Sequence, residues 1–311
     1  MTENKCLLCE SKNITTVEEL DTKIITDLYQ SRANINVKKY FTSIPTISLC
    51  ECSSCKLRYY YPLVLGDGHF YEQLQDYEGY YLEEKYDYLE AAKFISTTDD
   101  VLEVGCGAAF FTNFIKSKSY TGIEFNDKAI KIAQSKNINV QKEFLEVHAE
   151  KNAEKYDVVC FFQVLEHVEN PKTFLESAVK CLKKGGKLIL AVPAEDSFIS
   201  RHVNYYLNMP PHHATRWYDS TLNKIAGMFD MELINISHEP LHKIHEEFYE
   251  KVEIFQKIRK TLGIPFRMLE NGIFNTFLYG MATVAAKIKI LLGKKNKDAV
   301  GQSVVVVYEK K

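Results

Sequence analysis

Between residues 100 and 192, short apolar runs alternate with amphipathic stretches. The runs near 100–104, 119–123, 138–141, 156–162 and 187–192 predict strands, and the patterns near 110–117, 127–135 and 171–183 predict helices. Such alternation implies a parallel, doubly wound sheet. Gly185-Gly186 reads as the stop of the third helix. Two more strands follow at 231–237 and 301–308; the four valines 304–307 form a continuous apolar run, as in a strand covered on both faces. The intervening 241–293 is helical by pattern and broken at Gly263-Ile264-Pro265. Its apolar second half, 273–292, with Lys287 and Lys289 near the end, reads as a packing helix or homodimer partner. Peripheral membrane contact is the alternative.

Composition narrows the class. With 311 residues, 46% of them hydrophobic, the chain can bury a large core. A net charge of −2 argues against a dedicated nucleic-acid binder. The charge is uneven, since residues 241–311 hold 13 basic and 7 acidic side chains, which reads as a solvated helical face or a surface for an anionic or membrane-linked substrate. A polar start without a secretory pattern and no apolar run of spanning length predict a cytoplasmic protein without a transmembrane segment. Nine of the 19 tyrosines fall between Tyr59 and Tyr88, where they predict either packing between modules or a lid over a cleft.

Five of the eight cysteines precede residue 56. Cys6 with Cys9 and Cys52 with Cys55 form two C-x-x-C pairs. Such a gap lets both thiolates of a knuckle reach one ion, and two knuckles complete a tetrahedron. In a reducing compartment this pattern predicts structural zinc in a small ribbon-like module, although 42 residues separate the knuckles. Cys50 is a spare, able to replace Cys52 or to stand beside the site. Cys106, Cys160 and Cys181 sit singly in apolar segments and read as core residues.

Val101-Leu102-Glu103-Val104 runs into Gly105-Cys106-Gly107, a turn in which bare backbone can approach a ligand closely. Gly122-Ile123-Glu124 closes the next strand, placing a carboxylate 19 residues after Gly105, where it can accept the hydroxyls of an adenosine ribose. Glu103 would repel a pyrophosphate but suits a cationic amino group or sulfonium. Histidines fitted to proton transfer occur at His167 and at His212-His213.

These segments, with Tyr156-Asp157-Val158-Val159 and Leu165-Glu166-His167-Val168, resemble class I S-adenosylmethionine-dependent methyltransferases over roughly residues 86–237 plus the last strand. The Leu-Glu-His-Val segment resembles the branch containing ubiquinone-type O-methyltransferases. The cysteine pairs followed by Arg58-Tyr59-Tyr60-Tyr61-Pro62 resemble sugar methyltransferases with a zinc-binding leader. The resemblance implies an α/β, Rossmann-like, doubly wound seven-stranded sheet. Its parts would be a zinc-ribbon-like module (1–62), a Tyr-rich helical connector or lid (63–95), the core (96–240), a helical insertion (241–295) and the last strand (296–311).

It further implies that Glu103, Gly105 and Gly107 line the methionine moiety, with Cys106 and Phe125 also at the cofactor. Glu124 would hold the ribose, Glu143 or Phe144 flank the adenine, and Phe162 and Gln163 border the sulfonium. Ala109 stands where a glycine is common. His213, then His212, then His167 are the candidate bases, and Asp196, Arg201 and Arg216 are candidate acceptor contacts. The implied activity is O-methylation of a sugar in glycan or polysaccharide biosynthesis. The alternatives are C-methylation of a keto-sugar, O-methylation of a quinone or phenol, and an inactive zinc-ribbon interaction protein.

Overall fold

The computed structural model describes residues 4–75, 84–293 and 299–311. Part of the Tyr-rich connector and the start of 296–311 lie outside them. The first strands, β1 (Ile14–Asp21), β2 (Thr46–Cys52) and β3 (Arg58–Tyr61), pair antiparallel, with helix α1 (Thr22–Ala33) between the first two. The long spacing between the cysteine knuckles is therefore filled by β1, α1 and β2. Helices α2 (Gly68–Gln75) and α3 (Tyr86–Ala92) lead into the main sheet.

That sheet is built from β4 (Asp100–Val104), β5 (Ser119–Ile123), β6 (Val140–Gln141), β7 (Tyr156–Phe162) and β8 (Leu182–Pro193). Helices α4 (Asp127–Ser135), α5 (Leu145–Lys151) and α6 (Pro171–Cys181) make the crossovers. The short strand β9 (Thr215–Arg216) crosses to the first sheet and pairs with β3. Helix α7 (Asp219–Met228), β10 (Met231–Pro240), the hairpin of α8 (Glu246–Thr261) and α9 (Ile273–Leu291), and β11 (Val300–Lys310) complete the chain. The order across the seven strands is β10-β11-β8-β7-β4-β5-β6, parallel except for β11. Val304 to Val307 of β11 are wholly buried, each worth about 1.5–3 kcal/mol of transfer free energy.

Two local expectations fail for physical reasons. The helix expected at 110–117 is only a 3-10 turn, Phe110–Asn113. Ala109 enters it in the left-handed region (φ 58°), and the Phe111 and Phe114 rings are held against Tyr88 at 5.3 and 5.7 Å between centroids. Aromatic packing fixes the backbone there, and the chain then turns back to bond Asp99 through the Lys118 amide. Gly185 and Gly186 do not cap α6, which ends at Cys181; they form an irregularity within β8. A Cβ on Gly186 would stand 2.8 Å from the Lys183 carbonyl oxygen, so the close approach excludes any side chain.

Helix α9 packs inward through Leu278, Ala282 and Ala286, while Ile273, Phe277, Val284, Ile288 and Leu291 stay exposed. No helix among the described residues is long and apolar enough to cross a membrane.

Candidate active site and cysteine cluster

Crossovers lead from β4 to β5 and β6 on one side and to β7 on the other, so the sheet order reverses between β4 and β7. Ligands of such sheets sit beyond the strand ends at that reversal. A cavity of about 490 Å³ opens there. Glu103, Gly105, Cys106, Gly107, Glu124 and Phe125 line it, with Phe162 and Gln163 from the end of β7. Glu143 and Phe144 do not. The Glu143 carboxylate turns to His148 Nδ1 at 2.5 Å, and the exposed Phe144 ring lies 4.4 Å from that of Phe125. The α4 start, Asn126 to Lys128, lines the wall beside Phe125.

The glycine turn is built for close approach. Gly105 has φ +67°, and a Cβ on it would stand 2.7 Å from Val164 Cγ2. Glu124 holds the turn: its Oε2 accepts the Gly107 amide at 2.8 Å, and its Oε1 accepts the Phe125 and Asn126 amides at 2.6 and 2.9 Å. Glu103 is buried beneath the turn and accepts the Tyr120 hydroxyl at 2.5 Å. Burial pushes its carboxyl up to about 8, against the pull of that hydrogen bond. A carboxyl desolvated at the floor of a cavity suits an incoming cation. The bare turn, the Glu124 carboxylate and Glu103 thus fit a cationic adenosine-containing cofactor.

His167, His212 and His213 also line the cavity. The first follows β7 and the others follow β8, yet the backbone stitches the loops together. The Ala214 amide donates to the Glu166 carbonyl at 2.8 Å, and His167 Nδ1 bonds the His212 carbonyl at 2.7 Å. The three ring centroids lie 4.4–4.9 Å apart. Desolvation lowers all three, His167 to about 4 and His212 to about 3, so the rings stay neutral near neutral pH. Beside them Glu166 is buried; its Oε1 lies 3.7 Å from His167 Nε2, and its Oε2 has no hydrogen-bond partner among the described residues. Burial pushes this carboxyl up to about 8.

His213 is held by a relay. Its Nδ1 faces Asn208 Oδ1 at 2.8 Å, Asn208 Nδ2 donates to Glu195 Oε1 at 2.7 Å, and Glu195 Oε2 accepts Arg216 Nε at 2.8 Å. Arg216 is therefore a buried anchor and not an acceptor contact. Arg201 pairs with Glu253, and Asp196 accepts the Asp219 amide at 2.7 Å; none of these three expected contacts lines the cavity. Replacing Arg216 with methionine should cost about 3–5 kcal/mol in urea unfolding, because Glu195 is left buried and unpaired. An unchanged unfolding midpoint would contradict this.

Sequence reasoning missed Tyr71, Lys85 and Tyr88, which α2, α3 and the segment before α3 supply to the cavity. The Tyr71 ring meets His167 edge-on at 5.6 Å. It also missed Asp87 and Ser303, which bind each other and hold Gln163 Nε2 at 3.1 and 3.0 Å. The tyrosine density of the connector was the signal for the first group; Ser303, on β11, had none.

Away from the cavity, Cys6, Cys9, Cys52 and Cys55 bring their sulfurs within 4.8 Å of one another. Cys6 and Cys55 are 3.4 Å apart, and Cys9 and Cys52 are 3.5 Å apart. A tetrahedron of bonds near 2.3 Å has an edge of about 3.8 Å, so the donor set fits one zinc ion. Cys50 stands outside the cluster, its sulfur accepting Asn4 Nδ2 at 3.5 Å. Cys106, Cys160 and Cys181 are buried.

Residues 73–238 match the family model described as a methyltransferase domain. A ubiquinone biosynthesis O-methyltransferase of Nitrosospira multiformis is 28% identical over 165 residues, covering 47% of this chain and 69% of the relative. Its counterpart in Nitrosomonas europaea is 24% identical over 164 residues, covering 47% and 70%. Among solved structures, a SAM-dependent methyltransferase from Archaeoglobus fulgidus superposes with a TM-score of 0.46 at 15% identity, covering 71% of this chain and 90% of that one.

Proposed function

The chain belongs to the methyltransferase-domain family, and on that premise we propose that it methylates a hydroxyl oxygen of a small phenolic acceptor. It is an S-adenosylmethionine-dependent methyltransferase. The cofactor supplies an electrophilic methyl carbon on a positively charged sulfur. Glu124 receives the ribose hydroxyls, Glu103 the amino group, and the Gly105–Gly107 backbone the methionine chain; Phe162 and Gln163 border the sulfur. Phe125, rather than Glu143 or Phe144, flanks the adenine.

The observation that carries the acceptor reading is the cluster of His167, His212, His213 and Tyr71 rings lining the cavity. Flat aromatic and imidazole faces suit a flat ring. Arg201, Arg216 and Asp196, the residues expected to meet an acceptor's hydroxyls, are committed elsewhere. The names of the two relatives agree with a quinone or phenol acceptor and lend nothing to a sugar. A neutral imidazole can accept the hydrogen bond of a phenol and orient its oxygen. The four cysteines hold a structural zinc that takes no part in the chemistry.

The test is methyl incorporation into a panel of phenols, catechols and nucleotide-linked sugars. Transfer to the aromatic acceptors is expected, and transfer confined to sugars would overturn the reading.

Cofactor binding should also release a proton. Glu103, with its carboxyl near 8, is largely protonated at about pH 7, and a cation beside it favours the charged form. Affinity should therefore rise with pH until about 8 and then level. The heat of S-adenosylhomocysteine binding at about pH 7 should depend on the ionisation enthalpy of the buffer. Identical heats in two unlike buffers would show that Glu103 keeps its proton.

A further inference from the structure

We propose that His167, His212 and His213 form a binding site for one divalent first-row transition metal ion, open toward the acceptor end of the cavity. One ring nitrogen from each lies within 4.8 Å of the others. The outer bonds give the three rings the same tautomer. His167 Nδ1 faces the His212 carbonyl at 2.7 Å, His212 Nδ1 faces the Leu207 carbonyl at 2.8 Å, and His213 Nδ1 faces Asn208 Oδ1 at 2.8 Å. Each partner is an oxygen that only accepts, so each Nδ1 carries the proton and each Nε2 the lone pair. For Asn208 the assignment is forced, because its amino group donates to the Glu195 carboxylate.

Histidines that ligate metal show this pattern, with one nitrogen on the ion and the other donating to an oxygen of a second layer. A base needs one such ring; three converging rings are the donor set of an ion with an open position. Glu166 adds a second, independent observation. Its Oε2 is buried beside His167, without a hydrogen-bond partner among the described residues, and is an oxygen donor left over in the same cavity. Bonds of about 2.0–2.1 Å place ligand nitrogens about 3.4 Å apart, so the rings, whose nitrogens lie within 4.8 Å of one another, would have to draw together around the ion.

The use of the ion rests on the O-methylation reading. It would bind the acceptor hydroxyl, and a catechol would chelate it through both oxygens. The bound hydroxyl then loses its proton to water more readily, as metal-bound water does.

The test is a cobalt(II) titration of the metal-stripped full chain. The cysteine cluster and the histidine site differ in ligand atoms, so the first gives thiolate-to-cobalt charge transfer and the second does not. Two equivalents are expected, one of each kind. The double variant His167→Ala/His213→Ala should lose only the nitrogen-ligated one. Asn208→Ala, which removes no ligand, should weaken it about 10- to 100-fold. A wild-type protein that takes one thiolate-ligated equivalent overturns the proposal whether or not the variants fold. So does a second equivalent that survives the double variant. Phenol methylation by protein holding only the cysteine-bound ion would remove the metal site and leave the O-methylation reading. Two equivalents with no transfer to any phenol or catechol would do the reverse.

Discussion

Glu124→Ala should weaken S-adenosylhomocysteine binding by about 100- to 1,000-fold. Two hydrogen bonds from ribose hydroxyls to a carboxylate are worth about 1.5–3 kcal/mol each, or about 3–4 kcal/mol together after imperfect additivity. The same carboxylate ties three backbone amides, of Gly107, Phe125 and Asn126, around the glycine turn. The alanine variant therefore loses the acceptor and also leaves those amides to water, which loosens the pre-formed cradle. Glu124→Gln is the informative companion. Its carbonyl can still accept from two of the amides, but its amino group then meets the Gly107 N–H, donor to donor. Its affinity should fall between wild type and alanine. Calorimetric titration on protein of unchanged metal content checks both. Equal affinities in wild type and Glu124→Ala would remove Glu124 from the ribose.

The main sheet was legible because its central strands β4, β7, β8 and β11 carry buried apolar runs, with glycines and an acid at the reversal point of the sheet order. The cysteine set was legible from spacing alone, since C-x-x-C is a local geometry. What failed was decided at a distance. Phe110 to Ser117 carries a helical pattern, but the Phe111 and Phe114 rings answer to Tyr88, a residue from another element. Glu143 sits in a plausible sequence position, yet His148, five residues on, captures its carboxylate. The histidines were each visible as candidates. Their convergence was not, because it depends on bonds between distant loops, the Ala214 amide to the Glu166 carbonyl and His167 Nδ1 to the His212 carbonyl. The exposed face of α9 shows the same limit from the other side: an apolar stripe states that something packs inward, and not what meets the outward half.

Removing the ion that the four cysteines are proposed to hold should abolish methyl transfer while leaving cofactor affinity within a few-fold of the intact protein. Structural zinc sites contribute on the order of 10 kcal/mol to the folding of small modules, more than β1, β2 and β3 can replace on their own. Cys6, Cys52 and Cys55 are buried together with Leu8 and Leu57, so four thiols without an ion leave a poorly packed polar centre. The consequence reaches the acceptor wall through backbone. Strand β3 pairs with β9 at Arg58–Arg216 and Tyr59–Thr215, immediately after the histidines. The Tyr60 amide donates to the Ala214 carbonyl at 3.1 Å, and its hydroxyl donates to the Asn208 carbonyl at 2.7 Å. The Gly66 amide donates to the Pro211 carbonyl at 2.8 Å. Loss of the module thus releases the segment that carries His212 and His213 and the relay behind His213. The glycine turn and Glu124 hang on β4 and β5, which pair only with strands of the main sheet. Displacement of these histidines by about 1 Å is enough to cost on the order of 100-fold in rate. Cys9→Ser is the matched variant, and the pair of readouts is the turnover number against the dissociation constant for S-adenosylhomocysteine. Parallel loss of both would mean that the module supports the whole fold, and retention of turnover would mean that the histidine segment holds its place without it.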